Sequence, residues 1–172
     1  MTTRRPRTST ARSADQPAPD DVDAMTDAVL TASRLLVAVS ARSIGSVDDS
    51  ITIPQFRLLV VLDSRGPLKP TTLAEHLAVN PSTATRMVDR LVAADLISRE
   101  ANPASRRELV VTLTETGSAV VREVTQRRRA EITRIVSRMP ASTRRGLVRA
   151  LTAFTDAGDE LSVREQAYAR WL

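Results

Sequence analysis

The sequence predicts a mainly α-helical fold of the α+β class, in which one small β-hairpin interrupts a series of helices. Three observations support this prediction. Apolar residues recur at spacings of three and four over most of the 172-residue chain, which is typical of amphipathic helices. Leu109, Val111 and Leu113 recur instead at every second position, which is typical of a strand. Only four residues are aromatic, so the core is expected to consist of Leu, Val, Ile and Ala.

Composition narrows the possible functions. The chain has no cysteine and one histidine, His76, so we expect no disulfide, no zinc site and no cofactor. The phosphate-loop, dinucleotide-binding and nucleophile-elbow motifs are absent from the sequence, so an enzyme is not expected. The formal charge is +5, and 24 of the 25 basic residues are arginine. Arginine forms paired hydrogen bonds with phosphate and guanine, so this charge is compatible with a polyanionic partner.

Changes in composition along the chain indicate four segments. Residues 1–19 are rich in Arg, Ser, Thr and Pro and contain no apolar anchor, so we expect a disordered basic tail. Such a tail is either an arm that lies on DNA phosphates or an inert solvated terminus. Residues 20–50 are expected to form a helix and a loop, residues 51–113 a central mixed region, and residues 114–172 further helices.

The N-terminal helix is predicted to run from Asp20 or Asp21, either of which can serve as its N-cap, to about Ser43. Its apolar positions alternate between spacings of three and four, which is a heptad pattern of about two repeats. So short a pattern does not support an independent coiled coil, and the apolar face is expected to pack on other helices. These positions are Val22, Met25, Val29, Ala32, Leu36 and Val39.

The central region is predicted to begin with three short helices. The first starts at Ile53, next to a proline that favours the first turn of a helix. The second covers about residues 70–78. The third begins after Asn80, the expected N-cap, with Pro81 at its first position, and it runs to about Ala94.

A β-hairpin is predicted to follow the third helix. Its strands are expected around Ile97–Glu100 and Leu109–Leu113, joined through residues 102–105 by a loop longer than a tight turn. Two helices joined by a turn and followed by a hairpin have the layout of a winged helix-turn-helix.

The C-terminal region is predicted to be helical. A long helix is expected from Thr114, its N-cap, to Pro140. A further helix is expected after Ser142 as N-cap, and a last helical segment from about Leu161. The apolar residues of the helix after Ser142 are Leu147, Val148, Leu151 and Phe154.

The helix after Asn80 is the candidate DNA-reading element. Its first turn is small and hydroxylated, which allows a helix N-terminus to approach phosphate and enter a major groove. Arg86 is long enough to bond both O6 and N7 of guanine. The alternative is an ordinary solvated helix whose Ser and Thr merely favour its N-terminus. The candidate DNA-binding residues are Ser82, Thr83, Thr85, Arg86 and Arg90.

Arg106 and Arg107 lie at the predicted tip of the hairpin. Guanidinium groups in such a position can enter a narrow minor groove, so both are candidate DNA-binding residues of the wing. The alternative is a pair of surface arginines that interact with Glu108.

Together these features resemble the MarR (multiple antibiotic resistance regulator) family of bacterial winged-helix proteins, over about residues 51–124. The resemblance rests on the order and spacing of short motifs. They are Ile51-Thr52-x-x-Gln55-Phe56, Leu73-Ala74-Glu75-His76-Leu77, the run from Val79 to Leu91, Leu96-Ile97-Ser98-Arg99, Arg106-Arg107 and Leu113-Thr114-x-x-Gly117.

The resemblance implies a homodimeric transcriptional repressor that binds a pseudo-palindromic operator in double-stranded DNA, with recognition helices about 34 Å apart. It implies that residues 51–113 are the DNA-binding domain and that residues 20–50 and 114–172 form a dimerisation platform. The interface residues expected from the apolar stripes are Met25, Val29, Leu36, Leu147, Leu151 and Phe154.

The resemblance also implies release from DNA by a small amphipathic or phenolic ligand that binds between the platform and the winged helix. The candidate pocket residues are Val39, Ser43, Phe56 and Leu59.

Two positions depart from the family pattern. Ser105 replaces the acidic residue that usually braces the last wing arginine, so Arg107 is expected to be held less firmly. Asp95 replaces the glycine that usually ends the recognition helix, which carries a modest cost if the residue has a positive φ.

The alternative function is an architectural protein that coats DNA with little sequence preference. Residues 51–113 contain eight basic and six acidic residues, and this net charge of +2 favours base reading over non-specific binding. No membrane partner is expected, because the longest aliphatic runs, such as Leu58–Leu62, are too short to span a bilayer. Arg4 and Arg5 are not followed by the apolar stretch of a signal sequence, so a cytoplasmic location is expected.

Overall fold

The computed structural model describes residues 19–102 and 105–158. The expected basic tail as far as residue 18 and the predicted last helical segment from Leu161 lie outside these ranges. Within them the chain forms six α-helices and one antiparallel hairpin, which confirms the predicted fold class. The elements are α1 Pro19–Gly45, α2 Ile53–Arg65, α3 Pro70–Leu77, α4 Pro81–Ala93, β1 Ile97–Asn102, β2 Ser105–Leu113, α5 Glu115–Ser137 and α6 Ala141–Ala157.

Side-chain caps fix where α2 and α5 begin. Ahead of α2, the amide N–H of Gln55 donates to Thr52 Oγ1 at 3.4 Å, and the amide N–H of Thr52 donates to Gln55 Oε1 at 2.8 Å. This reciprocal pair satisfies two amide groups that the helix itself leaves without acceptors. At α5, the amide N–H of Gly117 donates to Thr114 Oγ1 at 3.0 Å, which confirms Thr114 as the cap.

Two of the predicted N-caps are wrong. Helix α6 begins at Ala141 with Pro140 at the cap position, so Ser142 lies inside the first turn. Helix α1 already includes Pro19, so Asp20 and Asp21 both lie within its first turn. Proline is tolerated at a helix start because it has no N–H to satisfy and its φ suits the helix, and this allows each helix to start earlier than the polar residues indicate.

The described chain divides into two compact units, with the division inside α1 between Val37 and Ala38. In the first unit, residues 21–37 are exposed throughout. The second unit has a continuous core that is aliphatic apart from one phenylalanine, as the composition predicts. Its members are Ile44, Ile51, Phe56, Leu58, Leu59, Leu62, Leu73, Leu77, Val88, Leu91, Leu96, Ile97, Val111, Val121 and Val124.

The hairpin is longer and its connection is shorter than predicted. Its register pairs Ile97 with Leu113 at the base and Asn102 with Ser105 at the far end, so only residues 103–104 join the strands. Val111 is fully buried, whereas Leu109 is 56% exposed. Both residues share one face of the strand, but Leu109 lies towards the far end of the hairpin. Alternation in a sequence identifies a face, and it does not determine how far the core extends along that face.

Within the described ranges, one helix is long and apolar enough to cross a membrane by length and composition alone. It is the stretch Asp21–Gly45 of α1, which has a mean hydropathy of 1.3 in its most apolar window. Polar residues interrupt its apolar positions, so no uninterrupted aliphatic run marks this stretch in the sequence. Core helices of proteins outside membranes meet the same criterion. Length and apolar character therefore do not place this helix in a membrane.

Gly117 allows α5 to pack directly against the backbone that precedes the hairpin. A Cβ atom at this position would overlap the carbonyl oxygen of Leu96 and would lie 2.9 Å from Leu113 Cδ1. That carbonyl also accepts a hydrogen bond of 3.1 Å from the amide N–H of Thr114, so it cannot move away freely. Gly146, which is also helical, has nothing within 4 Å of the corresponding position.

We expect Gly117→Ala to lower the free energy of unfolding by about 1–3 kcal/mol, because the added methyl group meets backbone rather than a flexible side chain. The matched control is Gly146→Ala, which should raise it by about 0.5–1 kcal/mol through helix propensity alone. Denaturant unfolding at one fixed protein concentration measures both changes. Changes of the same sign in the two variants would contradict this account of Gly117.

Candidate nucleic-acid interface

A three-residue turn joins α3 to α4 and sets the direction in which α4 leaves the core. Ala78 ends α3 in the left-handed conformation with a φ of +53°, and the amide N–H of Val79 donates to the Ala74 carbonyl at 3.1 Å. Asn80 Oδ1 then accepts a hydrogen bond of 2.9 Å from the amide N–H of Thr83, which confirms Asn80 as the N-cap of α4. The predicted helix-turn-helix is therefore present.

Helix α4 has one buried face and one exposed face. Ala84, Val88 and Leu91 are each at most 2% exposed and pack into the core. Because successive helical residues are rotated by about 100°, Ser82 and Arg86 lie on the opposite side of the helix. The five candidate DNA-binding residues of this helix are all accessible: Ser82, Thr85, Arg86 and Arg90 are exposed and Thr83 is half-buried.

Hydrogen bonds within α4 determine what each exposed side chain can offer to DNA. Ser82 Oγ donates to Asn80 Oδ1 at 2.8 Å, and Thr85 Oγ1 donates to the Pro81 carbonyl at 2.9 Å. Each hydroxyl has a single proton, so both residues present acceptor lone pairs in this arrangement. Arg86 lies 3.5 Å from Thr83 Oγ1 through Nη2, at the outer limit of a hydrogen bond. Most of its five N–H donors are thus available to a base edge.

The hairpin is anchored at its base, and its far end carries the two predicted wing arginines. Leu68 and Val111 exchange backbone hydrogen bonds of 2.8 and 3.1 Å, which adds a third backbone segment beside β2. Arg106 and Arg107 belong to the first residues of β2 rather than to a loop. Their side chains lie outside the part of the structure that is described.

Asp95 links α4 to the hairpin and has a φ of +57°. This is the left-handed conformation for which the resemblance predicts a glycine, so the modest conformational cost applies here. The Asp95 carbonyl accepts a hydrogen bond of 2.8 Å from Thr114 Oγ1. The turn is therefore held by the same side chain that caps α5.

A cavity of about 320 Å³ lies between the C-terminal end of α1 and the C-terminal half of α5. Of the four candidate pocket residues, Ser43 lines it, whereas Val39, Phe56 and Leu59 are buried away from its lining. Ser43 Oγ is buried and has no hydrogen-bond partner among the described residues. The cavity is lined by Arg42, Ser43, Ser46, Arg127, Ala130, Glu131 and Arg134.

The candidate interface residues lie on apolar faces that are open in the single chain. On α1, Met25, Val29 and Leu36 are 55, 38 and 41% exposed. On α6, Leu151 and Phe154 are more than half exposed, and Leu147 is half-buried.

Comparison with known proteins agrees with this geometry. The sequence model of the MarR family matches residues 51–109. The chain is 32% identical over 114 residues to the HTH-type transcriptional repressor MdtR of Bacillus subtilis, a match that covers 66% of this chain and 74% of the relative. The chain belongs to the MarR family. Members of this family are winged-helix regulators of transcription and not enzymes.

Two further matches show how far the likeness of this MarR-family chain extends. It is 36% identical to the multiple antibiotic resistance protein MarR of Salmonella typhimurium over 77 residues, which cover 45% of this chain and 54% of that protein. The crystal structure of RV1404 from Mycobacterium tuberculosis is 60% identical, with a TM-score of 0.78, and covers 85% of this chain and 99% of the solved chain. The likeness therefore includes helices outside the winged-helix region.

An ion pair between Asp89 and Arg99 is a feature of this surface that the sequence reasoning missed. Asp89 lies on the exposed side of α4, and Arg99 Nη2 on β1 donates to its Oδ1. The spacing from Ser82, seven residues earlier, could have placed Asp89 on the same exposed side as the candidate DNA-binding residues. No spacing in the sequence indicates that a strand supplies its partner.

We expect Arg86→Ala to weaken binding to a preferred DNA site by about 1–3 kcal/mol and to relax base preference at one position of each half-site. The reason is the loss of a donor pair that can read guanine. Selection of DNA from a random pool, followed by affinity measurements on single-base variants of the selected site, tests both effects. Arg128→Ala on α5 is the control and should leave both unchanged. Retention of full affinity and full base preference by Arg86→Ala would refute the assignment.

Proposed function

We propose that this chain is a sequence-specific repressor of transcription that binds double-stranded DNA as a homodimer in the cytoplasm and is released by a small organic ligand. The observation that carries this proposal is the arrangement of α4. Its apolar side is buried in the core, and the hydroxyl groups and Arg86 on its other side are exposed to solvent. The related MdtR protein is named a repressor, which supports repression here.

The charge of the winged-helix region supports sequence reading over the architectural alternative. A net charge of +2 over residues 51–113 gives few phosphate contacts, and such contacts supply most of the affinity of a non-specific coating protein. A sequence-specific protein gains the remaining affinity from base edges. We propose Ser82, Thr83, Thr85, Arg86 and Arg90 for the major groove and Arg106 and Arg107 for the minor groove.

The full chain should retain binding to a selected site when random DNA is present in large excess. The ratio of specific to non-specific affinity should be on the order of 10³ or more at physiological salt. A competition titration with labelled site and unlabelled random duplex measures this ratio. Equal affinity for all sequences would reject the repressor and favour the architectural alternative.

The exposed apolar faces support a homodimer. Burial of apolar area is the main driving force of association, and open faces of this kind on α1 and on α6 favour a partner. A second copy of the chain is the partner that a two-fold symmetric operator requires, because each copy then contacts one half-site. We propose that Met25, Val29, Leu36, Leu147, Leu151 and Phe154 lie in this interface.

We expect Leu151→Asp to shift the chain from dimer to monomer, because a carboxylate would have to be buried in an apolar contact. The matched control is Ala153→Asp, which introduces the same charge two residues away on the opposite side of α6. Sedimentation velocity over a range of concentrations gives the mass of each variant. A dimer of unchanged strength in Leu151→Asp would remove α6 from the proposed interface.

The basic lining of the cavity between α1 and α5 supports a small organic ligand that carries a negative charge. Three arginines line it against one carboxylate, Glu131, which already bonds Arg42; Arg127 bonds Glu123, which lies outside the lining. Ser43 Oγ adds an uncommitted hydroxyl that is buried at the lining. A bound anion would compete with Glu131 for Arg42, and this pair joins α1 to α5.

We expect benzoate to weaken the complex with DNA more than phenol does at equal concentration, because benzoate carries the charge that the arginines would bind. Arg134→Gln should raise the benzoate concentration needed for half-release several-fold, whereas Arg128→Gln, which lies outside the lining, should not. Fluorescence anisotropy of labelled DNA measures release. Identical responses of the two variants would exclude this cavity as the ligand site.

A further inference from the structure

The exposed face of α4 carries a carboxylate where DNA phosphates would approach. Asp89 follows Ser82 by seven residues and Arg86 by three, so all three project from nearly the same side of the helix. The Asp89 side chain is 54% exposed. A free carboxylate at this position would repel the phosphate backbone as α4 enters the groove, and the repulsion would act on every DNA sequence.

The hairpin supplies a cation that neutralises this carboxylate. Arg99 on β1 follows Ile97 by two residues, so both lie on one face of the strand, and Ile97 is 2% exposed. Val111, the cross-strand partner of Arg99, is fully buried on that same face. The aliphatic part of the Arg99 side chain therefore lies at the edge of the core, and its Nη2 donates to Asp89 Oδ1.

We propose that Asp89 and Arg99 form a positioning pair for DNA binding. Arg99 cancels the charge of Asp89 so that α4 can enter the groove, and Asp89 holds Arg99 away from phosphates so that the wing does not bind DNA indiscriminately. The pair also joins the recognition helix to the first strand of the wing. This inference depends on the proposed role of α4 in reading DNA.

The stability of the fold is not the main contribution of the pair. Both side chains are substantially exposed, 54% for Asp89 and 37% for Arg99, and ion pairs in such positions contribute little to folding. The pair Arg127–Glu123 on α5 is comparable in kind, with side chains 47 and 51% exposed and an N–O distance of 2.6 Å. This second pair lies within α5 and includes no residue of α4 or of the hairpin, so its disruption serves as the control.

Three variants of the full chain separate the possible roles of the pair, each measured against the selected site and against random duplex. Arg99→Gln should lose about tenfold in affinity for both DNAs, because Asp89 is left uncompensated. Asp89→Asn should bind random duplex more tightly and so discriminate less, because Arg99 is released towards phosphates. The double variant should return to within about threefold of the parent, since its two changes cancel in charge. Glu123→Gln, which breaks the exposed pair on α5 and removes a carboxylate as Asp89→Asn does, should bind both DNAs as the parent does.

The salt dependence of the double variant gives the decisive result. If the pair acts as proposed, the slope of log affinity against log salt stays at the parent value. If Arg99 instead contacts a phosphate directly, the double variant stays as weak as Arg99→Gln and its slope falls by about 0.9, which overturns the proposal. Parent-like binding by Arg99→Gln would overturn it as well. Parent-like binding by Arg86→Ala as well would reject the proposed reading of DNA by α4. If Arg86→Ala is weakened and Arg99→Gln is not, only the positioning role of the Asp89–Arg99 pair is rejected.

Discussion

The burial of one side of α4 is the constraint on which the rest of this structure depends. Ala84, Val88 and Leu91 are held in a core to which α2, α3, α5 and the hairpin also contribute. A helix that is fixed by its apolar side has no freedom to rotate, so its hydroxyls and arginines point outward in a defined order. The short α3 and its turn complete this arrangement because they set where α4 begins. Recognition of a base sequence requires this rigidity, since a helix that could rotate would present different side chains to the same groove.

The same constraint explains why the hairpin is anchored so firmly at its base. The carbonyl of Leu96 occupies the space that a side chain at position 117 would need, and Thr114 bonds both this carbonyl and that of Asp95. Recognition helix, wing and α5 are therefore joined over a few residues. The proposed release by a ligand between α1 and α5 would depend on these contacts, because they connect α5 to the elements proposed to bind DNA.

Local signals in the sequence predicted the elements well where one residue determines one hydrogen bond. Asn80 and Thr114 are caps in the structure because a side-chain oxygen three residues before an amide needs no help from the rest of the fold. The same reasoning failed at Ser142, where Pro140 allows the helix to start earlier. Alternation correctly placed Leu109 in a strand, but its exposure depends on which helices lie against that strand. The position of the cavity between α1 and α5 is also a property of the folded chain, and the candidate pocket residue Ser43 lies at its lining.

The sequence by itself determined the class of fold, the two faces of α4 and the family, because periodicity, capping residues and motif order are all local or linear properties. The tertiary structure decided which residues from distant segments meet. Arg99 reaches Asp89 only because β1 folds back along α4, and Gly117 is required only because α5 packs on the carbonyl of Leu96. No spacing in the sequence encodes these contacts, since they depend on the path of the chain through space.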